Sequence, residues 1–350
     1  MDDGPTFRTA SAIVPVYNGA ATLERCLSSL AAQSPALKEI LVIDDGSSDG
    51  SWAVVEAFAR REPRLVVQRH RENAGIARTL NEAVARATGD AVLILHQDAE
   101  LIGADWVDRG LDALRARPRT CLSGRPVFPF PELSAVETAF GVLRDTFFDA
   151  GEDAEALGFS EFKCDLLPRD MLQEERFDER FRASGEDQVL STRIAARGYT
   201  ILRLGSLAYW QRFGNVGRVR SQLRKEVAYG RTEGGVLLRT NLRVATESSQ
   251  SAVSSRRLAN RVSALLVPLA FLSAALLLLL TADPWLAALP LVLLVPRVVL
   301  VLRRGIALPH GTRRRARAAL LAVALIPLND VLYGAALVAG LLGFAALHRA

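Results

Sequence analysis

Cysteine is scarce in this sequence, and the three that occur, Cys26, Cys121 and Cys164, lie far apart along the chain. Their spacing matches neither a disulfide framework nor a zinc motif, both of which need paired or regularly placed cysteines. We therefore expect three reduced thiols, as in proteins of the cytosol. A disulfide-rich secreted module and a cysteine-based metal centre are excluded.

Basic patches interleaved with aromatic residues are also missing, although the net charge is +5. Nucleic-acid-binding proteins commonly use such patches, so we expect no nucleic-acid partner. Much of the positive charge lies near apolar C-terminal segments, where anionic membrane lipids are the more natural partner. Residues 1–9 lack the apolar core of a secretory signal, and we expect them to form a flexible N-terminus.

Apolar residues are concentrated in the C-terminal part of the chain. Three runs approach or exceed the roughly 20 residues that cross a bilayer as a helix: residues 262–280, 285–302 and 318–347. Arg297 is expected to snorkel toward the nearby interface. Pro327 and Asp330 are expected to interrupt the third run, giving one kinked span or a re-entrant pair. The alternative is a buried helical subdomain of a soluble protein.

The arginines around these runs predict an orientation. The turn Thr281–Pro284 has no basic residue, whereas arginines flank the other side: Arg256, Arg257, Arg261, Arg303, Arg304, Arg313, Arg314, Arg315 and Arg317. Cytoplasmic loops of membrane proteins carry an excess of Lys and Arg. We therefore expect a multi-pass membrane protein whose large N-terminal domain faces the cytoplasm.

The remaining sequence divides by composition. Residues 10–215 have the pattern of a soluble α/β domain, and residues 216–245 that of a basic amphipathic segment at the membrane surface. A solvated, charged helix is the alternative for that segment. Residues 246–261 include a serine-rich linker, and residues 262–347 form the transmembrane region.

Strand-like and helix-like segments alternate in the first half of the chain, which predicts a parallel sheet with right-handed crossovers. The strands are Ala10–Val16, Ile40–Ile43, Leu65–Gln68 and Ala91–Leu95, and the helices between them are Ala21–Gln33, Ser51–Arg60 and Ile76–Ala87. Beyond these lie a helix at Asp105–Arg117, an extended segment at Thr120–Val127, a helix that ends near Arg197 and a strand at Tyr199–Leu204.

Two of the apolar strands end in acidic residues. Ile40–Ile43 leads directly into Asp44 and Asp45, and Ala91–Leu95 is soon followed by Asp98. In open α/β sheets, ligands bind in the crevice beyond the carboxyl ends of the strands. One acid that can hydrogen-bond a nucleobase and one that can bind a metal ion indicate a site for a nucleotide diphosphate.

Five short motifs follow one another along the same domain. They are Ile13-Val-Pro-Val-Tyr-Asn-Gly19, Val42-Ile-Asp-Asp-Gly-Ser-Ser-Asp-Gly50, Asn73-Ala-Gly-Ile-Ala-Arg78 with Asn81, an aspartate after the fourth strand, and Gly185-Glu-Asp-Gln-Val-Leu190. The ordered set resembles family 2 glycosyltransferases over roughly residues 10–240. This resemblance implies a GT-A catalytic domain, α/β and Rossmann-like with a mostly parallel sheet, followed here by C-terminal transmembrane helices.

The resemblance also implies a donor site for a nucleotide-diphosphate sugar of the UDP, GDP or dTDP type. Asp45 is where such enzymes place a carboxylate that accepts a hydrogen bond from the nucleobase, and Asp44 is expected to be buried against the following turn. A capped strand-to-helix turn without a ligand is the alternative. The residues expected around the donor are Pro15, Tyr17, Asp44, Asp45, Asn73, Arg78, Gln97 and Asp98, with Asn81 as an alternative to Asn73.

Asp98 is the expected ligand of a divalent cation, Mg²⁺ or Mn²⁺. Such an ion neutralises a diphosphate leaving group and needs only one or two carboxylates besides phosphate oxygens. The segment His96-Gln97-Asp98 departs from the family pattern of flanking acids. His96 as a second ligand would favour Mn²⁺, and a structural histidine is the alternative.

Asp187 is the expected catalytic base, because inverting transfer needs a carboxylate that takes the acceptor's proton. Glu186 is expected to bind acceptor hydroxyls or to cap the helix; the reverse assignment, or a structural role for both, stays open. Further candidates for contacts with the acceptor or with phosphate are Asp165, Arg218 and Arg224.

The acceptor is expected at the membrane, as a polyprenyl phosphate or a lipid-linked saccharide. Processive synthases of this family carry a Gln-x-x-Arg-Trp motif, whereas Gln222–Lys225 lacks the arginine-tryptophan pair. Transfer of a single sugar is therefore expected. The alternatives are a subunit of a polysaccharide synthase and a catalytically degenerate membrane scaffold or nucleotide-sugar sensor.

Overall fold

The computed structural model describes residues 6–117, 119–144, 155–181, 185–212, 219–239, 252–308 and 315–347. The chain forms two compact units. Unit 1 comprises Met1–Phe128 and Ala150–Asn215, and unit 2 comprises Pro129–Asp149 and Val216–Ala350. Residues 129–149, inside the predicted catalytic domain, therefore group with the C-terminal part of the chain.

Unit 1 begins with the predicted alternation of strands and helices. The elements are β1 (Ala10–Val16), α1 (Ala20–Ala31), β2 (Leu37–Asp44), α2 (Ser51–Ala59), β3 (Leu65–Arg69), α3 (Ile76–Arg86) and β4 (Ala91–Leu95). β1 pairs in parallel with both β2 and β4, and β2 pairs in parallel with β3. The strands fall within a few residues of the predicted bounds. The apolar runs of β1, β2 and β4 are almost wholly buried, whereas β3 is only partly buried.

The second half of the sheet is mixed. The elements that follow in chain order are β5 (Ala99–Leu101), α4 (Trp106–Ala116), β6 (Thr120–Val127), α5 (Ala135–Arg144), β7 (Glu155–Leu157), β8 (Cys164–Pro168), α6 (Arg169–Glu174), α7 (Glu186–Ala196) and β9 (Thr200–Gln211). α5 belongs to unit 2. β8 lies antiparallel between β4 and β6, and β9 is parallel to β6 but antiparallel to β5 and β7.

The described strands make one sheet in the order β3-β2-β1-β4-β8-β6-β9-β5, with β7 paired to β9. The parallel sheet predicted from the sequence describes β1 to β4, and the rest differs because β8 returns antiparallel beside β4. Alternate strand residues face opposite layers: Val42 packs in the core with α1 and α2, while Leu41 and Ile43 pack in the core with α3, α6 and α7.

Unit 2 is helical in its described part. Besides α5 it contains α8 (Val219–Arg239), α9 (Ala252–Thr281), α10 (Pro284–Ala288), a 3₁₀ segment (Leu289–Leu294), α11 (Val295–Ile306) and α12 (Arg315–Leu347). Among the described residues, Pro284–Ile306 and Ala316–Gly340 are long and apolar enough to cross a membrane, and Leu266–Thr281 is a shorter apolar helix. These helices give membrane association some support, while the number of crossings and the orientation stay predictions.

Two predictions for this region are wrong. Arg297 does not snorkel: it is 2% exposed and forms a bidentate ion pair with the buried Asp330, at 2.7 Å from Nε and 3.0 Å from Nη2. Of the two alternatives for the third run, the re-entrant pair is wrong, because α12 continues through Pro327 and Asp330 as one helix. Pro327 removes only one backbone hydrogen bond of the helix. Asp330 can be buried within the helix because Arg297 pairs with its charge.

Candidate active site

The loops that follow β1 and β2 are joined by side-chain to backbone hydrogen bonds. Asn18 has a positive φ of 50°. Its Oδ1 accepts a hydrogen bond from Ser48 N, and its own backbone N–H donates to Ser47 Oγ, both at 2.9 Å. Gly19 N donates to Ser51 Oγ at 2.9 Å. Each loop thus fixes the backbone of the other, so this part of the carboxyl edge is preorganised.

Asp44 is fully buried at the end of β2. Its Oδ1 accepts from the N–H of Ser47 at 3.1 Å, and its Oδ2 lies 3.0 Å from Arg69 Nε at the end of β3. The expected burial against the following turn is thus what the geometry shows. Asp44 joins the ends of two neighbouring strands.

Asp45 anchors the loop between β3 and α3. Its carboxylate accepts from Ala74 N at 2.7 Å and from Gly75 N at 3.0 Å, and lies 2.8 Å from His70 Nδ1. The close approach needs Gly46, whose φ is 73° and whose Cβ, if present, would lie 2.8 Å from the carbonyl carbon of Glu72. The predicted contact of Asp45 with a nucleobase stays a prediction, and it would share oxygens that these contacts already use.

A cavity of about 410 Å³ opens on this loop and the start of α3. Its lining residues are His70, Arg71, Glu72, Asn73, Ala74 and Arg78. Two of the predicted donor residues, Asn73 and Arg78, therefore share one cavity. Arg78 is exposed, and its Nε lies 2.8 Å from Glu82 Oε1. The two arginines and the histidine make the lining suited to an anionic ligand such as a phosphorylated nucleoside.

Gln97 bonds the backbone of Tyr17 instead of pointing freely into a cleft. Its Oε1 accepts from Tyr17 N at 3.0 Å, and its Nε2 donates to Tyr17 O at 2.9 Å. The Tyr17 side chain is 49% exposed, and Pro15 is half-buried where it pairs with Ile43. Gln97 thus holds the chain that presents Tyr17, while direct donor contacts of all three residues stay predictions.

Asp98 lies directly beyond the fourth strand, half-buried, and its carbonyl accepts from Arg212 N at 2.8 Å. Within the described ranges, its carboxylate makes no hydrogen bond or ion pair with another residue. No cluster of three or more His, Cys, Asp or Glu side chains that could hold a metal occurs in the same ranges. One unengaged carboxylate fits Mg²⁺ or Mn²⁺ held together with phosphate oxygens, and it does not fit a cation held by protein ligands alone.

His96 is neutral in this environment, because burial lowers the pKa of its imidazole to about 4. Its backbone N–H donates to Lys163 O at 2.8 Å, so the loop before β8 runs beside the end of β4. A structural role for the imidazole and its contact with a metal both stay predictions.

The predicted catalytic acids open α7, immediately after Gly185, whose φ is 96°. Glu186 is buried, and burial together with the charge of Asp187 raises the pKa of its carboxyl. Asp187 is less buried, and its Oδ1 accepts from Gln188 N at 2.8 Å. Two adjacent carboxyl groups therefore have different environments, which favours different protonation states.

Asp165 is buried within the sheet. It is 2% exposed on β8, where Oδ1 accepts from Ser160 Oγ at 2.5 Å and burial raises the pKa of the carboxyl to about 6. Its predicted acceptor contact stays a prediction. The backbone N–H of Ser160 donates to Ser191 Oγ at 3.2 Å, one helical turn after Asp187. Asp165 thus supports the loop that packs against α7.

The other candidates are placed as follows. Asn81 is buried and forms two hydrogen bonds with the backbone of Phe177. Its Nδ2 donates to the carbonyl, and its Oδ1 accepts from the N–H, both at 2.9 Å. Asn81 therefore does not line the cavity. Arg224 is exposed on α8 in unit 2, and Arg218 lies outside the described residues. The sequence analysis did not select His70 or Glu82. The position of His70 directly after β3 could have indicated it, because residues that follow the strands lie together at the carboxyl edge of the sheet.

Comparisons with known proteins agree with this geometry. Residues 11–174 match the family model described as Glycosyl transferase family 2. The glycosyltransferase AglE of Haloferax volcanii is 27% identical over 128 residues, which cover 36% of this chain and 42% of that protein. The uncharacterized glycosyltransferase YfnE of Bacillus subtilis is 38% identical over 105 residues, covering 30% and 26%. The chain thus spans less than half the length of these curated relatives.

Two solved structures share the fold. Mannosyltransferase PcManGT from Pyrobaculum calidifontis, in complex with GDP-Man and Mn²⁺, is 20% identical with a TM-score of 0.53, covering 93% of this chain and 88% of that one. S. aureus TarS 1–349 is 16% identical with a TM-score of 0.50, covering 96% and 92%. At such identities the likeness shows the fold alone.

Proposed function

The chain contains a glycosyltransferase family 2 domain with the GT-A fold, and from this premise we propose that it transfers a single sugar, with inversion, from a nucleotide-diphosphate sugar to a membrane-associated acceptor. A polyprenyl phosphate or a lipid-linked saccharide is the favoured acceptor. The observation that carries the proposal is the pair of unlike carboxyl groups, Glu186 and Asp187, at the start of α7.

The pair supports Asp187 as the base. A carboxyl group whose pKa is raised keeps its proton and cannot accept another, which describes Glu186. Asp187 is the less buried of the two and is the group left to take a proton from an acceptor hydroxyl. Glu186 in its protonated form would donate a hydrogen bond to an acceptor oxygen.

The donor would bind at the cavity between His70 and Arg78 and at Asp98. The cavity is lined by arginines and an asparagine amide, which suit phosphate and polar base edges. Asp98 would hold a divalent cation, Mg²⁺ or Mn²⁺, which supplies charge neutralisation for the leaving diphosphate. The donor is of the UDP, GDP or dTDP type. PcManGT and TarS have been solved with GDP-Man and with UDP-GlcNAc respectively, so both base classes belong in the test.

Unit 2 supports a membrane location for the acceptor. Two of its described helical stretches can cross a bilayer, and many of their apolar side chains are exposed, such as Leu289 and Trp285. α8 presents exposed Arg224 and Lys225, which suit anionic lipids or a phosphate of the acceptor. By the positive-inside rule, the arginine-rich segment after α11 supports a cytoplasmic location of the catalytic domain.

The test is release of nucleotide from UDP-, GDP- and dTDP-sugars by detergent-solubilised enzyme supplied with membrane lipid extract. We expect one donor to be turned over, a product that gains one sugar, and loss of both on chelation or in Asp98→Ala. Products of many sugars would indicate a polysaccharide synthase. Binding of a donor without any turnover would indicate the scaffold or sensor and would overturn the proposed transfer.

A further inference from the structure

His70 lies between two carboxylates that come from different elements. Its Nδ1 is 2.8 Å from Asp45 Oδ1, just beyond β2, and its Nε2 is 2.9 Å from Glu82 Oε2, on α3. The side chain of His70 is 12% exposed, and Asp45 is 4% exposed. Both edges of the imidazole are therefore committed to acceptors, and neither carboxylate oxygen can donate while ionised.

The chemistry of imidazole determines what this arrangement needs. A neutral ring has one N–H donor and one bare nitrogen, whereas the imidazolium has two donors. Only the imidazolium can donate to Asp45 and Glu82 together. Loss of its proton breaks one of the two contacts and places a nitrogen lone pair against a carboxylate.

The two carboxylates also hold the walls of the cavity. Asp45 accepts the backbone N–H groups of Ala74 and Gly75, and Glu82 pairs with Arg78 at 2.8 Å. Ala74, Arg78 and His70 itself line the cavity. His70 thus connects the loop on one side of the cavity with the helix on the other.

We propose that His70, as an imidazolium held between Asp45 and Glu82, is a positioning residue that keeps the 72–75 loop and Arg78 in the arrangement that binds the nucleotide of the donor. This inference rests on the proposed function, because it assigns the cavity to the donor. The role is distinct from catalysis, since His70 acts through the carboxylates and the loop. Donor affinity should therefore depend on the charge of His70, while the rate at saturating donor should not.

The pH dependence has a definite sign. Burial opposes the charged form, but hydrogen bonds and charge from Asp45 and Glu82 outweigh it and raise the pKa of His70 above its usual range. The other charged groups near these partners are Arg78, beside Glu82, and Arg69, beside Asp44. A raised histidine pKa gives stabilisation that is present at low pH and lost as pH rises through the folded value. We therefore expect donor affinity to fall toward alkaline pH.

The first experiment is a titration of the full chain in detergent by NMR with labelled histidine, which is practical because the chain has 4 histidines. Glu82→Gln removes one acceptor charge while keeping the size, and should shift the His70 pKa downward. Arg61→Gln serves as a control for a change of surface charge, because it removes an exposed charge, paired with Glu24, that lies two residues beyond the end of α2. A His70 that titrates at or below its usual value, or is unaffected by Glu82→Gln, overturns the proposal.

The second experiment measures KM for the donor and kcat between pH 6 and pH 9 in wild type, His70→Asn, His70→Gln and Arg61→Gln. Loss of one hydrogen bond to a charged group corresponds to about a tenfold change in affinity. We expect a wild-type KM that rises with pH by about that factor. The His70 variants should have a high KM that no longer follows this rise, with kcat nearly unchanged.

These outcomes separate this proposal from the proposed function. If wild type turns over no donor, the proposed function fails, and affinity for UDP and GDP measured over the same pH range replaces KM as the readout for His70. If wild type is active and the KM profiles of His70→Asn and wild type coincide, only the positioning role fails. A fall in kcat with unchanged KM would likewise contradict it.

Discussion

The side-chain amide of Gln97 hydrogen-bonds both backbone groups of Tyr17, with Oε1 accepting at 3.0 Å and Nε2 donating at 2.9 Å. The backbone ladder between β1 and β4 pairs residues only as far as Ile13 and Ile94. Beyond that point the two hydrogen bonds of the Gln97 side chain replace the backbone pairing, and they keep the end of β1 beside the end of β4. The exposed ring of Tyr17 is held at the carboxyl edge as a result.

The first prediction concerns Gln97→Glu, which keeps the size of the side chain but removes its N–H donors. A carboxylate oxygen would then face the carbonyl of Tyr17, so the bond that Nε2 donates is replaced by repulsion, while the other oxygen can still accept from Tyr17 N. We expect a loss of about 1 kcal/mol in the free energy of unfolding, as for one or two exposed hydrogen bonds, and a several-fold rise in donor KM. Thermal unfolding measures the change in stability, and initial rates measure the donor KM. An unchanged KM would mean that Tyr17 does not contact the donor.

Gly19 provides an independent check of the same contact. A Cβ at this position would lie 2.1 Å from Gln97 Oε1, so the flexible amide must move away. We expect Gly19→Ala to fold and to raise donor KM as Gln97→Ala does. The double variant should resemble either single variant, because contacting residues are not additive. Simple addition of the two effects would mean that Gly19 acts through something other than Gln97.

The second prediction separates the two acids of α7. Asp187→Asn should lower kcat by about 10²- to 10⁴-fold, the usual contribution of a general base, while nucleotide binding persists. Glu186→Gln should retain much of the activity, because the amide resembles the protonated carboxyl that burial and Asp187 favour. Steady-state rates with donor binding measured in parallel decide this. The opposite ranking of the two variants would transfer the base to Glu186.

The third prediction concerns the metal. Asp98 is the one predicted ligand, and its carboxylate is engaged by no other described residue, so Asp98→Asn should weaken Mn²⁺-dependent turnover more than it weakens folding. Titration of activity with Mn²⁺ and Mg²⁺ should show a shift of the midpoint to higher concentration. Glu100→Gln is a suitable control, since Glu100 is nearby in sequence but is already paired with Arg212 at 2.9 Å. Equal effects of the two variants would contradict a specific role for Asp98.

The sequence was sufficient for the features that depend on local pattern. The apolar runs of β1 to β4 predicted their bounds, and the single motif Asn73–Arg78 supplied two of the residues that line the cavity. Partners that are distant in sequence were not predictable in this way. The contact of Asp45 with His70 spans 25 residues and depends on a loop whose approach only Gly46 permits.

The same limit explains the other features that the sequence did not predict. Asp165 follows Cys164 in a short apolar segment, and nothing local shows that β8 inserts between β4 and β6 and buries it. Arg297 and Asp330 each looked like an isolated charge in an apolar run. Considered singly, Arg297 should snorkel and Asp330 should interrupt a helix. As an ion pair, the two charges compensate each other and can both be buried.

The last prediction tests that pair. Asp330→Asn and Arg297→Gln each leave one buried charge without its partner, and breaking a buried pair from one side typically costs about 3–5 kcal/mol. Arg297 also lies 3.5 Å from the carbonyl of Leu143 at the end of α5, so the loss should loosen α5 together with α11 and α12. The combined variant Arg297→Leu with Asp330→Leu should recover much of the stability, because apolar side chains need no charged partner. Unfolding in detergent, followed by temperature and by protection of α5 from hydrogen exchange, measures both effects. If the double variant is as unstable as the single ones, the pair does more than neutralise two charges, and the geometry of its hydrogen bonds must itself position these helices.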